Sequence, residues 1–167
     1  NPPSTAYISG SVIGSATATL ATSGSTSTII PVDDTIPQNT EGVEILTLSY
    51  TPKVATSTLR ITASVPLSEN GNVENRAMSA ALFRDATAGA IAFRTGSYEA
   101  ASAGAFAALT QYQAFLFVSV PANSTAATTF KLNVGSEGAF SIRWNGGATR
   151  LGGGVMLTTI LIEEIAA

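Results

Sequence analysis

Three of the chain's eleven carboxylates fall within the thirteen residues from Ile30 to Gly42, which read IPVDDTIPQNTEG. Asp33, Asp34 and Glu41 form the densest group able to hold a cation or move a proton. An EF-hand calcium loop needs oxygen donors at alternate positions, Gly at the sixth and Glu at the twelfth; that order is absent. Glycoside hydrolysis needs two carboxylates facing each other across the scissile bond, and nothing here selects two of the eleven. The residues instead suit a turn. Asp33 and Asp34 can accept backbone N–H bonds, Asx fashion, with Thr35 in support. Pro31 and Pro37 fix φ and remove donors, as suits a chain entering and leaving a sheet edge. Glu41-Gly42 then leads into a strand over 43–50. We expect architecture here, with no metal and no catalysis.

Little other chemistry is on offer. The chain has no His and no Cys. It therefore lacks the commonest general base and zinc ligand, and any thiolate site. No cofactor and no enzymatic activity are expected. Charged residues make up 11% of the chain, against roughly 25% in an ordinary domain. Ser, Thr, Ala and Gly take their place, which points to a surface covered by identical copies. A net charge of −3 without a basic run argues against nucleic acid. The segment LGGGVMLTTILI is too short and Thr-rich to span a bilayer, so no membrane insertion is expected. Asn1 in place of Met suggests a module cut from a longer protein.

Binding chemistry is spread thinly. Asn70, Asn72 and Asn75, with Glu69, Glu74 and Arg76, make the most polar loop, and Tyr98 sits in a Gly/Ser-rich segment. Tyr112 lies in TQYQ, and Trp144 is the only Trp. These aromatics are candidates for stacking on a sugar ring, with Asn70, Asn72 and Arg76 as hydrogen-bonding partners. For Trp144, core packing beside Phe140 and Ile142 is the stronger reading. The leading loops are 68–76 and 95–104.

The elements that must carry these residues read as β throughout. Thr58–Val65, Thr129–Val134 and Phe140–Trp144 alternate apolar and polar residues with a period of two. Strands are also expected over Val43–Tyr50, Ala80–Arg84, Ala90–Thr95 and Ala114–Val120, with a further one near Tyr7–Ile13. Asp85–Gly89 and Pro121–Ser124 are turns. Asn145-Gly146-Gly147 reads as a hairpin leading to a strand near Arg150. This pattern predicts an all-β fold, a jelly-roll-like antiparallel β-sandwich. From Val155 to Ile165 both strand faces are apolar. Met156, Ile160 and Ile162 are placed at a subunit interface and the other face in the core. Glu163 and Glu164 point to opposite faces, one to solvent and one toward an Arg such as Arg143 or Arg150.

The run DDTIPQNTEG, then TPKVATSTLRI, AALFRD-x(4)-AIA, ATTFKLNVG and GGGVMLTTILIEEIAA resembles the C-terminal domains of tailed-bacteriophage tail fibres and tailspikes. The resemblance covers about residues 29–167. Residues 1–28 stand outside it as an extended lead-in to an upstream shaft, and 29–167 would be a tip domain. What the resemblance implies is a homotrimeric jelly roll in the virion tail, extracellular, that binds a bacterial cell-surface glycan or other host receptor. The alternative is a trimerising cap without receptor contact. An enzyme acting on surface polysaccharide is the weakest reading.

Overall fold

The computed structural model describes residues 7–69, 76–98, 111–146 and 151–167. Two antiparallel sheets pack face to face. The larger contains β1 (Val12–Leu20), β2 (Gly24–Thr26), β4 (Thr58–Glu69), β7 (Gln111–Pro121), β9 (Ile142–Trp144) and β10 (Thr158–Ile165). Its order is β1-β10-β4-β9-β2, with β7 on the free flank of β4. The smaller sheet has the order β3-β8-β5-β6, from β3 (Val43–Tyr50), β5 (Arg76–Arg84), β6 (Ala92–Tyr98) and β8 (Thr128–Ser136). The expected all-β, jelly-roll-like sandwich is what forms. No α-helix occurs among the described residues.

Period-two alternation builds the core. Leu59, Ile61, Ala63, Val65 and Leu67 of β4 point inward and are fully buried. They meet Leu82 of β5 and Phe130, Leu132 and Val134 of β8. Ile160 and Ile162 of β10 belong to this same core, with no exposed surface. This corrects their expected place at an interface. Facing β4 on one flank and β1 on the other, β10 turns Ile160, Ile162 and Glu164 inward, while Thr159, Leu161, Glu163 and Ile165 face out. Met156 is half-buried in the connection before β10. Residues 12–20 and 24–26, read as lead-in, contribute two strands to the larger sheet; β1 pairs with β10 from Val12 to Leu20.

The acidic stretch is a strap across the outside of the smaller sheet. Ile30 packs with Ala81 and Phe83 in a second, minor core. The Ile30 N–H donates to Ser136 O (2.9 Å), and the Ser136 N–H donates to Thr28 O (3.1 Å). Farther on, Asn39 N–H donates to Ala88 O (2.7 Å) and Ala90 N–H to Pro37 O (2.8 Å). Asp33 Oδ1 accepts from the Thr35 N–H (2.8 Å) and hydroxyl (2.5 Å), the expected Asx geometry, and these bonds lower the Asp33 pKa. Glu41 Oε2 accepts from the Gln38 N–H (2.9 Å). Gly42, at φ +68°, ends the strap where a Cβ would meet Ile30 and the Val134 carbonyl at 2.7 Å.

Two buried polar groups lock the larger sheet. Glu164 is fully buried. Its carboxylate accepts from the Tyr50 hydroxyl (2.7 Å), the Lys53 and Val54 N–H groups (2.9 Å each) and the Ser57 hydroxyl (2.7 Å). Burial alone would raise its pKa, but these donors outweigh burial and hold it below the ordinary value. Burial and the neighbouring carboxylate push the Tyr50 phenol up. Asn145, at φ +55°, is the second lock. Its Nδ2 donates to Leu20 O (2.8 Å) and Thr22 O (3.0 Å), and its Oδ1 accepts from Thr158 Oγ1 (2.9 Å). The residue expected to shape a hairpin, with the positive φ that reading calls for, also ties β1, β9 and β10 together. The strand expected near Arg150 lies outside the described residues.

Candidate functional site

Among the described residues, one end of the sandwich and one outer sheet face bear most directly on the expected binding and assembly residues. The first is the end of the sandwich where β4 stops and β5 begins. Leu67 of β4 is flanked by Tyr112 of β7 and Trp144 of β9, and Arg76 opens β5 opposite Tyr98 at the end of β6. The structure thus places Arg76, Tyr112, Trp144 and the backbone of Tyr98 at one end of the sandwich. Asn70 and Asn72 lie outside the described residues.

The aromatic rings there are largely committed to packing. Tyr112 lies on Gly96, where a Cβ would come within 2.3 Å of the ring, and its hydroxyl donates to Thr95 O at 3.1 Å. Trp144 lies on Gly24 in the same way, at 2.1 Å. Each glycine makes room for a ring against the sheet. The Arg76 guanidinium sits 4.7 Å above the Phe140 ring and 3.8 Å from a Glu69 carboxylate oxygen. These residues form a stiff rim rather than open stacking platforms.

The second region is the outer face of the larger sheet, which sequence reasoning missed. Phe115 and Phe117 of β7 project from it and are 62% and 65% exposed. Register extends them into cross-strand rows. Phe115, Ser64, Thr159 and Thr19 form one row; Phe117, Thr62, Leu161 and Thr17 form the next. In the third, Ser119 and Ser15 flank Arg60 and Glu163, an ion pair at 2.8 Å. Glu163 therefore pairs with Arg60 rather than Arg143, Glu164 is held by donors other than Arg, and Arg150 lies outside the described residues. The signal for this face was present in the sequence. In Gln113–Val120, Ala114, Leu116, Val118 and Val120 fall on one face, while Phe115 and Phe117 stand between Gln113 and Ser119 on the other.

Such a face can bury apolar rings and exchange hydroxyl hydrogen bonds. Among the described residues, no group of three or more acidic side chains is arranged to hold a metal.

No family model matches the chain, and no curated protein matches it. Among solved structures, it is similar to infectious bursal disease virus VP2 in a subviral particle, with 15% identity and a TM-score of 0.45, over 93% of this chain and 34% of that one. It is also similar to dimeric latent PorU from Porphyromonas gingivalis, with 12% identity and a TM-score of 0.44, over 99% of this chain and 14% of that one. The chain spans about a third or less of either protein. Likeness of this degree bears on neither kinship nor function.

Proposed function

We propose that the chain is an attachment and assembly module of a virus particle, a homotrimeric β-sandwich tip of a phage tail fibre or tailspike. The observation that carries this reading is the outer face of the larger sheet. Two phenylalanines more than three-fifths exposed on an edge strand are unusual for a surface meant to stay in water. The Ser/Thr rows beside them carry one internally neutralised ion pair, and the Arg94 guanidinium, which donates to Phe115 O at 3.3 Å, borders the face as its one neighbouring charge among the described contacts. The low charged fraction of the whole chain points the same way. The sequence resemblance over residues 29–167 supports the fibre-tip assignment and the threefold state.

With the larger sheet turned inward, the smaller sheet and the loop end near Arg76 and Tyr98 face the host surface. Weak single contacts with a cell-surface glycan then add through threefold repetition. The test is attachment of the purified fragment to host cells, beside a Phe115→Asp/Phe117→Asp variant. Binding by the assembled fragment and loss on dissociation supports the reading. An intact trimer that attaches to no host surface leaves the capping alternative instead.

A further inference from the structure

The outside of the smaller sheet carries a recess of ≈ 310 Å³, at the lower end of the roughly 300–1,000 Å³ of small-molecule sites. The end of the strap, β3, β8 and the turn after β5 build it. Its wall groups are Asn39, Glu44, Asp85, Lys131 and Asn133, with Phe83 among the apolar lining.

Most of these side chains are fixed by other bonds. Asn133, only 5% exposed, donates through Nδ2 to Glu41 O at 2.9 Å. That bond leaves Oδ1 as an acceptor on a residue that lines the recess. Asn39 Nδ2 donates to Thr87 O (3.2 Å), which leaves its Oδ1 as a second acceptor. Glu44 is held by the Thr47 hydroxyl (2.5 Å) and by Lys131 Nζ (3.1 Å). The Thr47 bond and Lys131 outweigh burial and lower the Glu44 pKa. Asp85, in a left-handed conformation at φ +52°, accepts from Thr129 N–H (2.7 Å) and Thr128 Oγ1 (2.8 Å).

The donor set decides the ligand class. Two carboxylates stand against Lys131 and against Arg84, whose guanidinium is 3.6 Å from Asp85, so no net positive charge favours a phosphate or other anion. Both carboxylates are already engaged by protein donors, and two acids make a poor cage for a divalent cation. An apolar ligand would leave the Asn39 and Asn133 carbonyl oxygens without a donor. A neutral polyhydroxyl ring suits them, because each of its hydroxyls both donates and accepts. We infer that this recess, bordered by the end of the strap and lined by Asn133 and Phe83, is a binding pocket for one neutral saccharide unit. The inference rests on the attachment reading for its biological sense, but not for its geometry. With the phenylalanine face turned inward, three such pockets would open outward.

The experiment is a titration of ¹⁵N-labelled protein with the methyl glycosides of glucose, galactose, mannose and N-acetylglucosamine, followed at the Asn39 and Asn133 side-chain amide signals. At least one glycoside is expected to shift these signals saturably in the millimolar range. Lys131→Met and Glu44→Gln alter half-exposed side chains, 40% and 44% exposed, so folding survives; each is expected to weaken binding about tenfold by removing a charge-assisted hydrogen bond. Shifts at neither amide with all four glycosides, or equal affinity in both variants, would overturn the pocket. Failure of the two proposals is distinguishable. A monomer whose recess binds a glycoside removes only the assembly reading, and a cell-binding trimer with a silent recess removes only the pocket.

Discussion

Replacing Glu164 by Gln isolates the charge of the buried carboxylate from its shape. Gln keeps an oxygen for Val54 N–H and Ser57, and its amide can donate to the Tyr50 hydroxyl, so few donors are orphaned. What is lost is the charge assistance on the four groups that now donate to the carboxylate. Hydrogen bonds to a charged group contribute about 1.5–3 kcal/mol against about 0.5–1.5 for neutral ones. Discounting for shared donors and relaxation, the net cost should be about 2–3 kcal/mol. For a chain of this size that lowers Tm by roughly 4–12 °C. Glu164→Ala leaves at least two backbone N–H groups buried and unpaired and should cost about 3–5 kcal/mol. The assay is denaturant and thermal unfolding of wild type and both variants at one protein concentration, since assembly itself shifts Tm. Its pH dependence has a definite sign. The folded pKa of Glu164 is lowered, so its stabilisation is complete above the unfolded carboxylate pKa of about 4.3. It is lost as pH falls through the folded value. The gap between wild type and Gln should therefore be full at neutral pH and close in acid. Equal midpoints at neutral pH, or a gap that persists unchanged in acid, would refute the role assigned to the carboxylate.

Three further outcomes are expected. Asn145→Ala severs the tie among Leu20, Thr22 and Thr158 and puts Ala at φ +55°; equilibrium unfolding should show a loss of about 2–4 kcal/mol. Gly42→Ala forces a Cβ against Ile30 and Val134 O at a positive φ, and should destabilise by more than about 1 kcal/mol, with amide exchange in the strap quickening before the core strands. Treatment with EDTA should leave Tm unchanged, because Asp33 and Glu41 bond to the strap itself; a fall in Tm restored by calcium would show a cation site there.

The legible parts of the fold were those with large alternating side chains. Val43–Tyr50 emerged with its expected bounds, and β4 continues past the expected Val65 to Glu69 because Pro66 and Leu67 remain buried. Residues 12–20 were less legible. Their inward positions are mostly small, as at Ala16 and Ala18, and only pairing to β10 makes them a strand. The orientation of β10 could not be read from its own composition, since both faces are apolar. Strand parity was settled by its two neighbours and by the donors that surround Glu164. At the sandwich end, the sequence named Arg76, Tyr112 and Trp144 but not the glycines Gly96 and Gly24 that receive the two rings. Contacts between residues so distant in sequence leave no local pattern. The recess around Asn133 was hidden for the same reason, since its walls come from the strap, β3, β8 and the turn after β5.

The central claim is that the outer face of the larger sheet joins copies of the chain. Burying two rings that are 62% and 65% exposed should contribute about 2–4 kcal/mol per subunit. The deciding measurement is solution mass by light scattering at micromolar concentration. Wild type should give about three times 17.0 kDa, and Phe115→Asp/Phe117→Asp should give a folded species near 17.0 kDa, its core strands intact by circular dichroism. A wild-type mass near 17.0 kDa, or a double variant that stays trimeric, would contradict the account.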